Sequence, residues 1–299
     1  MKIANRDVLY HEISRLNPVT LEVASGEVFQ VKTELNSGSW LQNVQDIWSP
    51  EKSSHSNPSS GCIYVEGAGP GDMLAIKILD IELADVGYTA SSPSQNLYSN
   101  WLRKKEWGIF TKTVAIEDGF VLWSDRIKIP VQPMIGVLAT APALGAPRTV
   151  ENGSFGGNMD IQEITTGHIV YLPVYVDGGL LHVGDVHAVM GDGEICGAGG
   201  IETRATVTLR VDVREKPQGM LWPRIESPEH LITVGCEKPA EDAFRIALQE
   251  MLKWMSEGYG FSETEAFLLL GQILHARCTQ FVDPLYTYIC KVPKQYLKV

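Results

Sequence analysis

Residues 201–212 read IETRATVTLRVD, and in this stretch apolar and polar side chains alternate. The apolar members occupy odd positions and are Ile201, Ala205, Val207, Leu209 and Val211. The polar members at even positions are Glu202, Arg204, Thr206, Thr208, Arg210 and Asp212. Because successive side chains of a β-strand point to opposite faces, this period of two predicts a strand with one buried face and one face turned to water or a cavity.

Most of the remaining chain reads as further strands separated by turns. The 28 glycines and 16 prolines favour frequent turns over a helical bundle. We predict further strands at residues 63–66, 73–81, 134–140, 168–176, 180–187, 230–234 and 286–292. The sequence therefore predicts a mainly β fold, a β-rich α+β class with antiparallel sheets in a barrel-like sandwich.

Helical periodicity is confined to the C-terminal part of the chain. Apolar residues recur at helical spacing between Pro239 and Gly258, which are start and stop residues for a helix. Ser262 and Glu265 have the spacing of a capping box and predict a second helix that continues through residues 266–277. We expect this helical pair, within residues 237–282, to pack on the sheets.

Two segments of the chain resemble each other. Residues 63–67 (IYVEG) and 71–76 (GDMLAI) correspond to residues 174–178 (VYVDG) and 184–189 (GDVHAV). A duplicated β unit explains the likeness, and so does the recurrence of one kind of tight turn. We treat residues 1–299 as a single unit, with β subdomains 1–150 and 151–236 plus 283–299 as a further hypothesis.

Charge and cysteine content exclude several classes of protein. The 299 residues carry 25 Lys and Arg against 36 Asp and Glu, a formal net charge of −11, which disfavours phosphate backbones and anionic lipid surfaces. The apolar stretches are too short for a membrane helix, and the N-terminus lacks the apolar core of a signal peptide. The five cysteines contain no CxxC pair. We therefore expect a cytoplasmic protein without nucleic-acid or membrane partners.

The densest group of ionisable and glycine residues is GDVHAVMGDGE, residues 184–194. On a strand, Asp185 and His187 would share a face, and Asp192 and Glu194 have the same spacing if Gly193 is extended. Four ionisable groups bordered by apolar strand need a counter-charge when they are buried. One imidazole with several carboxylates is a ligand set that suits zinc and similar divalent cations.

Simpler readings of these residues stay open at this point. Asp185 and Asp192 are also typical turn residues, and His187 is also compatible with a hydrogen-bonded core histidine. Asp160 follows paired glycines and is by itself an ordinary polar turn residue. Glu202, at the polar edge of the regular strand, is a further candidate ligand.

Two long polar stretches, residues 36–61 and 87–105, contain or adjoin large aromatic side chains. The aromatic residues are Trp40, Trp48, Trp101 and Trp107. Solvated linkers rarely hold so many tryptophans, so we interpret these stretches as ordered loops. They either cover the mouth of a pocket or anchor to the core or to a second subunit.

Three motifs together resemble the acetamidase/formamidase family. They are YVEGA (residues 64–68) with PGD (70–72), GGNMD (156–160), and GDVH (184–187) with GDGE (191–194). The resemblance spans about residues 60–205, and the near-terminal VDP (282–284) and VPK (292–294) are compatible with it. The family commonly has Glu where Gly69 stands and Gln where Met190 stands, and the second difference would alter the polarity of the pocket.

The resemblance implies that the protein is a metal-dependent hydrolase of short aliphatic amides such as formamide and acetamide. It implies carboxylate and ammonia as products, a cytoplasmic homodimer or higher homo-oligomer, and a divalent cation, with Zn²⁺ expected and Ca²⁺ or another ion as alternatives. Carried over by residue, the expected metal ligands are Asp160, Asp185, His187 and Glu202. The expected catalytic residues are Glu194 as general base and acid, Asp192 in a supporting role, and His187.

Two other functions stay open from the sequence. An enzyme of the same fold could act on another linear C–N bond or on a larger amide, as Met190 suggests. A non-catalytic β scaffold could use the acidic cluster only to hold a stabilising metal ion.

Overall fold

The computed structural model describes residues 1–52, 56–91 and 110–297. It is mostly β, with 45% strand and 13% helix, and its strands form two sheets with two helices near the C-terminus. The predicted fold class is confirmed, although the described strands form no closed barrel. In chain order the strands are β1 (Lys2–Ala4), β2 (Leu9–Tyr10), β3 (Leu21–Val23), β4 (Val28–Thr33), β5 (Ser59–Val65), β6 (Asp72–Leu83), β7 (Val86–Ser91), β8 (Phe110–Glu117), β9 (Phe120–Ser124), β10 (Ile127–Pro130), β11 (Met134–Ala139), β12 (Asn152–Gly153), β13 (Gly156–Asn158), β14 (Ile169–Pro173), β15 (Leu181–His187), β16 (Gly197–Thr203), β17 (Ala205–Glu215), β18 (Arg224–Glu226), β19 (His230–Glu237), β20 (His275–Gln280) and β21 (Tyr286–Pro293).

The first sheet has the described strands in the order β1-β4-β17-β6-β14-β18-β19-β21-β20, and only the pairing of β1 with β4 is parallel. Strand β17 lies between β4 and β6 and contains most of the stretch that alternates in sequence. Its residues Val207, Leu209 and Val211 are fully buried, whereas Arg210 is exposed. The predicted half-buried strand is confirmed for residues 205–212, but residues 201–203 belong to β16 of the second sheet, because the chain leaves one sheet for the other at Arg204.

The second sheet has the order β10-β9-β8-β7-β16-β15-β11-β13-β12, and β2, β3 and β5 join it through β5. Strand β15 pairs with β11, β16 and β5, and all seven of its residues are buried. One hydrophobic core joins the two sheets, with Val207 and Leu209 from the first and Val183 and Val186 from the second. This packing encloses β15 completely, so any polar side chain on β15 is buried with the core.

The two helices, α1 (Ala240–Tyr259) and α2 (Glu263–Ile273), pack on the first sheet as predicted. A second core places Met251 and Met255 of α1 against Leu231 of β19 and Val292 of β21. Short 3-10 helices occupy Pro50–Lys52 and Lys294–Tyr296. None of the described helices combines the length and the apolar composition of a membrane span.

Both helices end at residues other than those predicted. Helix α1 ends at Tyr259, beyond the predicted stop at Gly258, because the next residue, Gly260, adopts the left-handed conformation (φ 73°) that closes a helix. The Ser262 Oγ accepts a hydrogen bond from the Glu265 amide at 3.2 Å, which confirms the cap of α2. Helix α2 stops at Ile273, however, and the predicted helical residues 275–277 lie in β20, where pairing with β21 provides their backbone partners.

The strands that contain or adjoin the two similar segments pair with each other reciprocally. Strand β5, which includes residues 63–65, pairs with β15, and β14, which directly precedes residues 174–178, pairs with β6. A two-fold-related duplication would produce this pattern, which supports that hypothesis. Strands from both sides of residue 150 share each sheet, and the division into subdomains stays a prediction.

His182 on β15 is a fully buried histidine whose neighbours Leu181 and Val183 belong to the core between the two sheets, so its side chain points to the opposite face of the second sheet. Its Nδ1 lies 2.8 Å from the Ser59 Oγ, and its ring contacts the ring of Tyr10 edge-on. Burial disfavours the charged form and lowers the pKa of His182 from 6.5 to about 4.

We predict that His182 makes the fold less stable in acid. The unfolded chain binds this proton near pH 6.5 and the folded protein only near pH 4, so the unfolded state holds more protons between these values. Stability from this group is therefore present above pH 6.5 and lost as the pH falls, with a slope of up to about 1.4 kcal/mol per pH unit. We would measure the unfolding free energy by urea titration at several pH values. It should fall less steeply between pH 6.5 and 4 in His182→Gln than in the wild type. His275→Gln, which changes an exposed histidine, should retain the wild-type slope. Equal slopes in the two variants would contradict the assignment.

Candidate functional site

A cluster of buried ionisable side chains lies where β15 meets β16. His187 and Glu202 are direct cross-strand partners in this pair, and both are buried. The Nε2 atom of His187 lies 3.0 Å from the Glu202 Oε2 and 3.5 Å from the Asp185 Oδ1. The predicted convergence of Asp185, His187 and Glu202 is thus present in the structure.

Two further carboxylates complete the cluster from outside these strands. Asp160 lies two residues after the end of β13, and Glu194 lies in the loop between β15 and β16. One ligand atom each of Asp160, His187 and Glu194 lies within 4.8 Å of the others, and the same holds for Asp185, His187 and Glu202. A single imidazole is therefore shared by two sets of carboxylates.

The backbone is strained at three of these acids. Asp160, Asp185 and Glu194 have φ angles of 47°, 54° and 46°, in the left-handed region that residues with a side chain rarely occupy. Such conformations cost about 1–3 kcal/mol each and are found mainly at functional sites. The surrounding sheets hold these side chains in one place against this cost.

A glycine makes room for the carboxylates at the centre of β11. A Cβ on Gly136 would overlap the Asp160 Oδ1 and lie 2.7 Å from the Asp185 Oδ2. Gly200 on β16 is similar, because a Cβ there would lie 2.7 Å from the Cγ of His187. Close approach of the charged groups therefore depends on glycine at both positions.

Many polar atoms of the cluster have no hydrogen-bond partner among the described residues. They are both carboxylate oxygens of Asp160, the Asp185 Oδ1, both ring nitrogens of His187, the Glu194 Oε2 and the Glu202 Oε2. The short contacts of the His187 ring thus lack hydrogen-bond geometry. The Asp185 Oδ2 accepts a hydrogen bond from the side-chain amide of Asn57 at 3.0 Å, and the Glu194 Oε1 accepts one from the Gly199 amide at 3.5 Å. Buried polar groups are almost always paired, so this arrangement fits a bound cation.

The electrostatics of the cluster indicate the same shortage of positive charge. Burial, with the charge of Asp185, raises the pKa of Asp160 to about 6, and burial raises the pKa of Glu202 to about 8. Burial and the charge of Asp160 raise the pKa of Glu194 well above its usual value. For His187, burial alone would lower the pKa, but the charges of Glu202 and Asp185 raise it well above the ordinary range. A divalent cation would remove this conflict by stabilising the ionised carboxylates.

Asp192 is the one predicted site residue that the structure does not bring into the cluster. Its carboxylate is 62% exposed and accepts from the Arg277 Nε at 2.8 Å and from the Gln162 side-chain amide at 3.1 Å. The predicted convergence of Asp192 with Glu194 required an extended Gly193, but this glycine has a φ of 86° and turns the chain. The two acids consequently lie in different environments.

Sequence reasoning missed several residues around the cluster. Asp283 lies close to both Asp160 and Glu194, and burial together with the charge of Asp160 raises its pKa well above the usual value. Asn158 donates to the Asp283 Oδ2 at 2.9 Å. The VDP motif that contains Asp283 carries no local signal of this role, since about 90 residues separate it from Glu194 and the turn between β20 and β21 brings it to the cluster.

A cavity of about 260 Å³ borders the cluster, and its described walls are mostly polar. Its lining includes three acids of the cluster, Asp185, Glu194 and Glu202, and the side chains of Trp48, Asn57, Tyr88, Arg148, Asn158 and Asp283. Trp48 thus lies in the wall of a pocket, whereas Trp40 packs against the ring of Tyr88. Both interpretations of the aromatic loops therefore hold, each for one tryptophan. Trp101 and Trp107 lie outside the described residues.

Comparisons with known proteins agree with the motifs. The model of the acetamidase/formamidase family matches residues 84–297. The acetamidase of Mycolicibacterium smegmatis is 27% identical over 300 residues, which cover 71% of this chain and 72% of that protein.

Solved structures extend the likeness to almost the whole chain. The crystal structure of an acetamidase from Bacillus halodurans is 32% identical and has a TM-score of 0.92, covering 99% of this chain and 100% of that one. A protein described as a predicted acetamidase/formamidase from Thermoanaerobacter tengcongensis is 33% identical with a TM-score of 0.93, covering 99% and 97%. The chain therefore belongs to the acetamidase/formamidase family and is an amidohydrolase that acts on linear amides.

Proposed function

We propose that this enzyme hydrolyses short aliphatic amides such as formamide and acetamide to the carboxylate and ammonia, with a divalent cation held in the buried cluster. The observation that carries the proposal is the set of unpartnered carboxylate and imidazole atoms at a small polar cavity. At about 260 Å³ the cavity lies below the range typical of drug-sized ligands and suits a substrate of a few heavy atoms.

The side chains fit the ligand set of a divalent cation. His187 belongs to both sets of ligand atoms, so it would hold the ion together with Glu202 from one set and Asp160 from the other. Asp185, fixed by Asn57, either joins them or orients the His187 ring. One nitrogen and several oxygen donors suit Zn²⁺, and Ca²⁺ or another divalent ion is the alternative. Such an ion lowers the pKa of a bound water from 15.7 towards about 7 and polarises a carbonyl group.

Glu194 is the residue we assign to proton transfer. Its Oε2 has no hydrogen-bond partner among the described residues, and Glu194 lines the cavity. Amide hydrolysis requires a base for the attacking water and an acid for the leaving nitrogen, and a carboxyl group with a raised pKa can do both. The Glu194 Oε2 would take the proton from water and then deliver it to the nitrogen as the C–N bond breaks.

The loop that carries Glu194 is fixed from the neighbouring hairpin. Backbone hydrogen bonds join Gly193 to Thr279 at 2.8 Å and to Phe281 at 3.0 Å. Arg277 binds Asp192 on one side and Glu163 on the other. We therefore assign Asp192 to positioning this loop instead of to catalysis.

The other candidate chemistries receive less support. Met190 is buried and is absent from the described lining of the cavity, so it gives no reason to expect a larger amide or another C–N bond. Burial raises the pKa of the Cys196 thiol, which disfavours a thiolate nucleophile. A purely structural role for the cluster does not agree with the amidohydrolase family of the chain.

The homo-oligomeric state and the cytoplasmic location belong to the same proposal. Phe267 and Leu268 on α2 are 57% and 66% exposed, which suits a contact between subunits. All five cysteines lie in the described part of the chain and none is paired, as expected for a reducing compartment.

Ammonia release from a panel of amides tests the proposed function. We expect formamide and acetamide to be hydrolysed faster than longer amides, because the cavity is small. His187→Ala should lose both bound metal and activity, whereas Glu194→Gln should retain the metal and lose about 10²–10⁴-fold in kcat. Asp192→Asn, the matched change two residues away, should lose less than about tenfold. Wild-type rates in Glu194→Gln, or no ammonia from any amide, would refute the proposal.

Gly136→Ala tests the convergence of the carboxylates on the cation. The added Cβ would overlap the Asp160 Oδ1, so the carboxylates must move apart and metal binding should weaken by at least about tenfold. Gly191→Ala is the matched control, because no atom lies within 4 Å of its added Cβ. Metal content after dialysis against a graded series of chelator concentrations measures the effect. Equal retention of metal by the two variants would contradict the arrangement.

A further inference from the structure

One wall of the cavity carries hydrogen-bond acceptors that the proposed chemistry has not used. Asn158 is 3% exposed and lines the cavity, and its Oδ1 has no hydrogen-bond partner among the described residues. Asp283 lines the same cavity beside it. An unpartnered amide oxygen in a buried wall is costly unless a ligand or water supplies a donor.

The orientation of Asn158 follows from its neighbours. Its side-chain amide N–H donates to the Asp283 Oδ2 at 2.9 Å, so its Oδ1 must point elsewhere. Strand β13 holds the residue in place by pairing with β11, where Asn158 lies opposite Val137. On the other side of β13, Gly157 permits the close approach of β12, since a Cβ there would lie 2.9 Å from the Cα of Asn152.

Asp283 is fixed just as firmly. The Gln280 Oε1 accepts hydrogen bonds from the backbone amides of Val282 and Asp283, both at 3.0 Å. The Nζ of Lys238 donates to the Asp283 carbonyl oxygen at 2.7 Å. Because Gln280 is fully buried, it braces the turn from inside and presents the Asp283 carboxyl to the cavity in one position.

Only one end of an amide matches a wall of acceptors. The carbonyl oxygen of an amide needs a donor or a cation, whereas its NH₂ group offers two N–H donors. Asp283 also lies near Glu194, the residue assigned to protonate the leaving nitrogen. The nitrogen would therefore be held beside its proton source.

We propose that the Asn158 Oδ1 and the Asp283 carboxyl form the subsite for the amide nitrogen and accept its two N–H hydrogens. This inference rests on the proposed function and adds to it a preference for unsubstituted over N-alkyl amides. An unsubstituted amide satisfies both acceptors, while an N-alkyl amide leaves one unpaired and places a methyl group against a polar wall. When the C–N bond breaks, the nitrogen gains the proton from Glu194 and leaves this subsite as ammonia.

A comparison of acetamide with methyl acetate separates recognition of the nitrogen from general damage to the site. Both compounds carry the same acyl group, but the ester has no N–H donor. Asn158→Leu should lower kcat/KM for acetamide by about 10–100-fold, since each factor of ten corresponds to about 1.4 kcal/mol of lost interaction. The inhibition constant of methyl acetate, measured as a competitor of acetamide hydrolysis, should change less than about threefold.

Asn36→Leu is the matched control. Asn36 lines the same cavity, but its Oδ1 already accepts from the Tyr88 hydroxyl at 2.6 Å. Any effect of this variant should be equal for acetamide and methyl acetate. Equal losses for the two compounds in Asn158→Leu would assign Asn158 a structural role and overturn the inference.

A second variant keeps the test independent of how well Asn158→Leu folds. Asp283→Ala removes one acceptor and opens space on the nitrogen side, so kcat/KM for N-methylacetamide relative to acetamide should rise at least about tenfold. An unchanged ratio in a variant that melts within a few degrees of the wild type would overturn the inference. If the wild type hydrolyses acetamide and these ratios do not move, only the subsite fails. If the wild type hydrolyses no amide, the proposed function itself fails.

Discussion

The mutual repulsion of buried carboxylates is the constraint on which the rest of the structure depends. Asp160, Asp185, Glu194 and Glu202 surround one imidazole in a place from which water is largely excluded, and Asp283 lies close by. Charges at such distances in a poorly polarisable medium repel by several kcal/mol unless a counter-ion or a proton intervenes. The two sheets tolerate this because cross-strand pairing and left-handed backbone at three acids leave the side chains no other direction to point.

Local sequence patterns predicted much of the fold. The alternation around Val207 and Leu209 identifies an interior strand of the first sheet, and Ser262 with Glu265 identifies the start of the second helix. Both features depend on neighbours within a few residues, which the sequence displays directly. The end of that helix was wrong, because residues 275–280 take their backbone partners from β21, and pairing between distant strands overrides helical spacing.

The candidate site likewise contains some residues that the sequence predicts and others that it does not. Asp185, His187 and Glu202 could be anticipated, since spacing on one strand and the polar edge of the next bring them together. Asp192 was misplaced because one backbone angle, at Gly193, decides which way the following acid faces. Asn57 and Asp283 reach the cluster from loops far away in sequence, and no local pattern connects them to it. Likewise the sequence gives no sign that Gly136 matters for the site, because the carboxylates that lie against it belong to Asp160 and Asp185, which are distant in the chain.

The reciprocal pairing of β5 with β15 and of β6 with β14 bears on how such an enzyme could have arisen. The first Gly-Asp pair still serves its turn, since the Asp72 carboxylate accepts from the Gly69 amide at 2.9 Å, and Leu74 fills the core where the second copy has His187. Of the two similar segments, only the second supplies ionisable side chains to the cluster, namely Asp185 and His187. Two short identical chains could form the same reciprocal strand pairing as one long chain. In a dimer of identical chains, however, every substitution appears in both copies. Once the copies are joined in one chain each can change separately, so the second can have His187 where the first has Leu74.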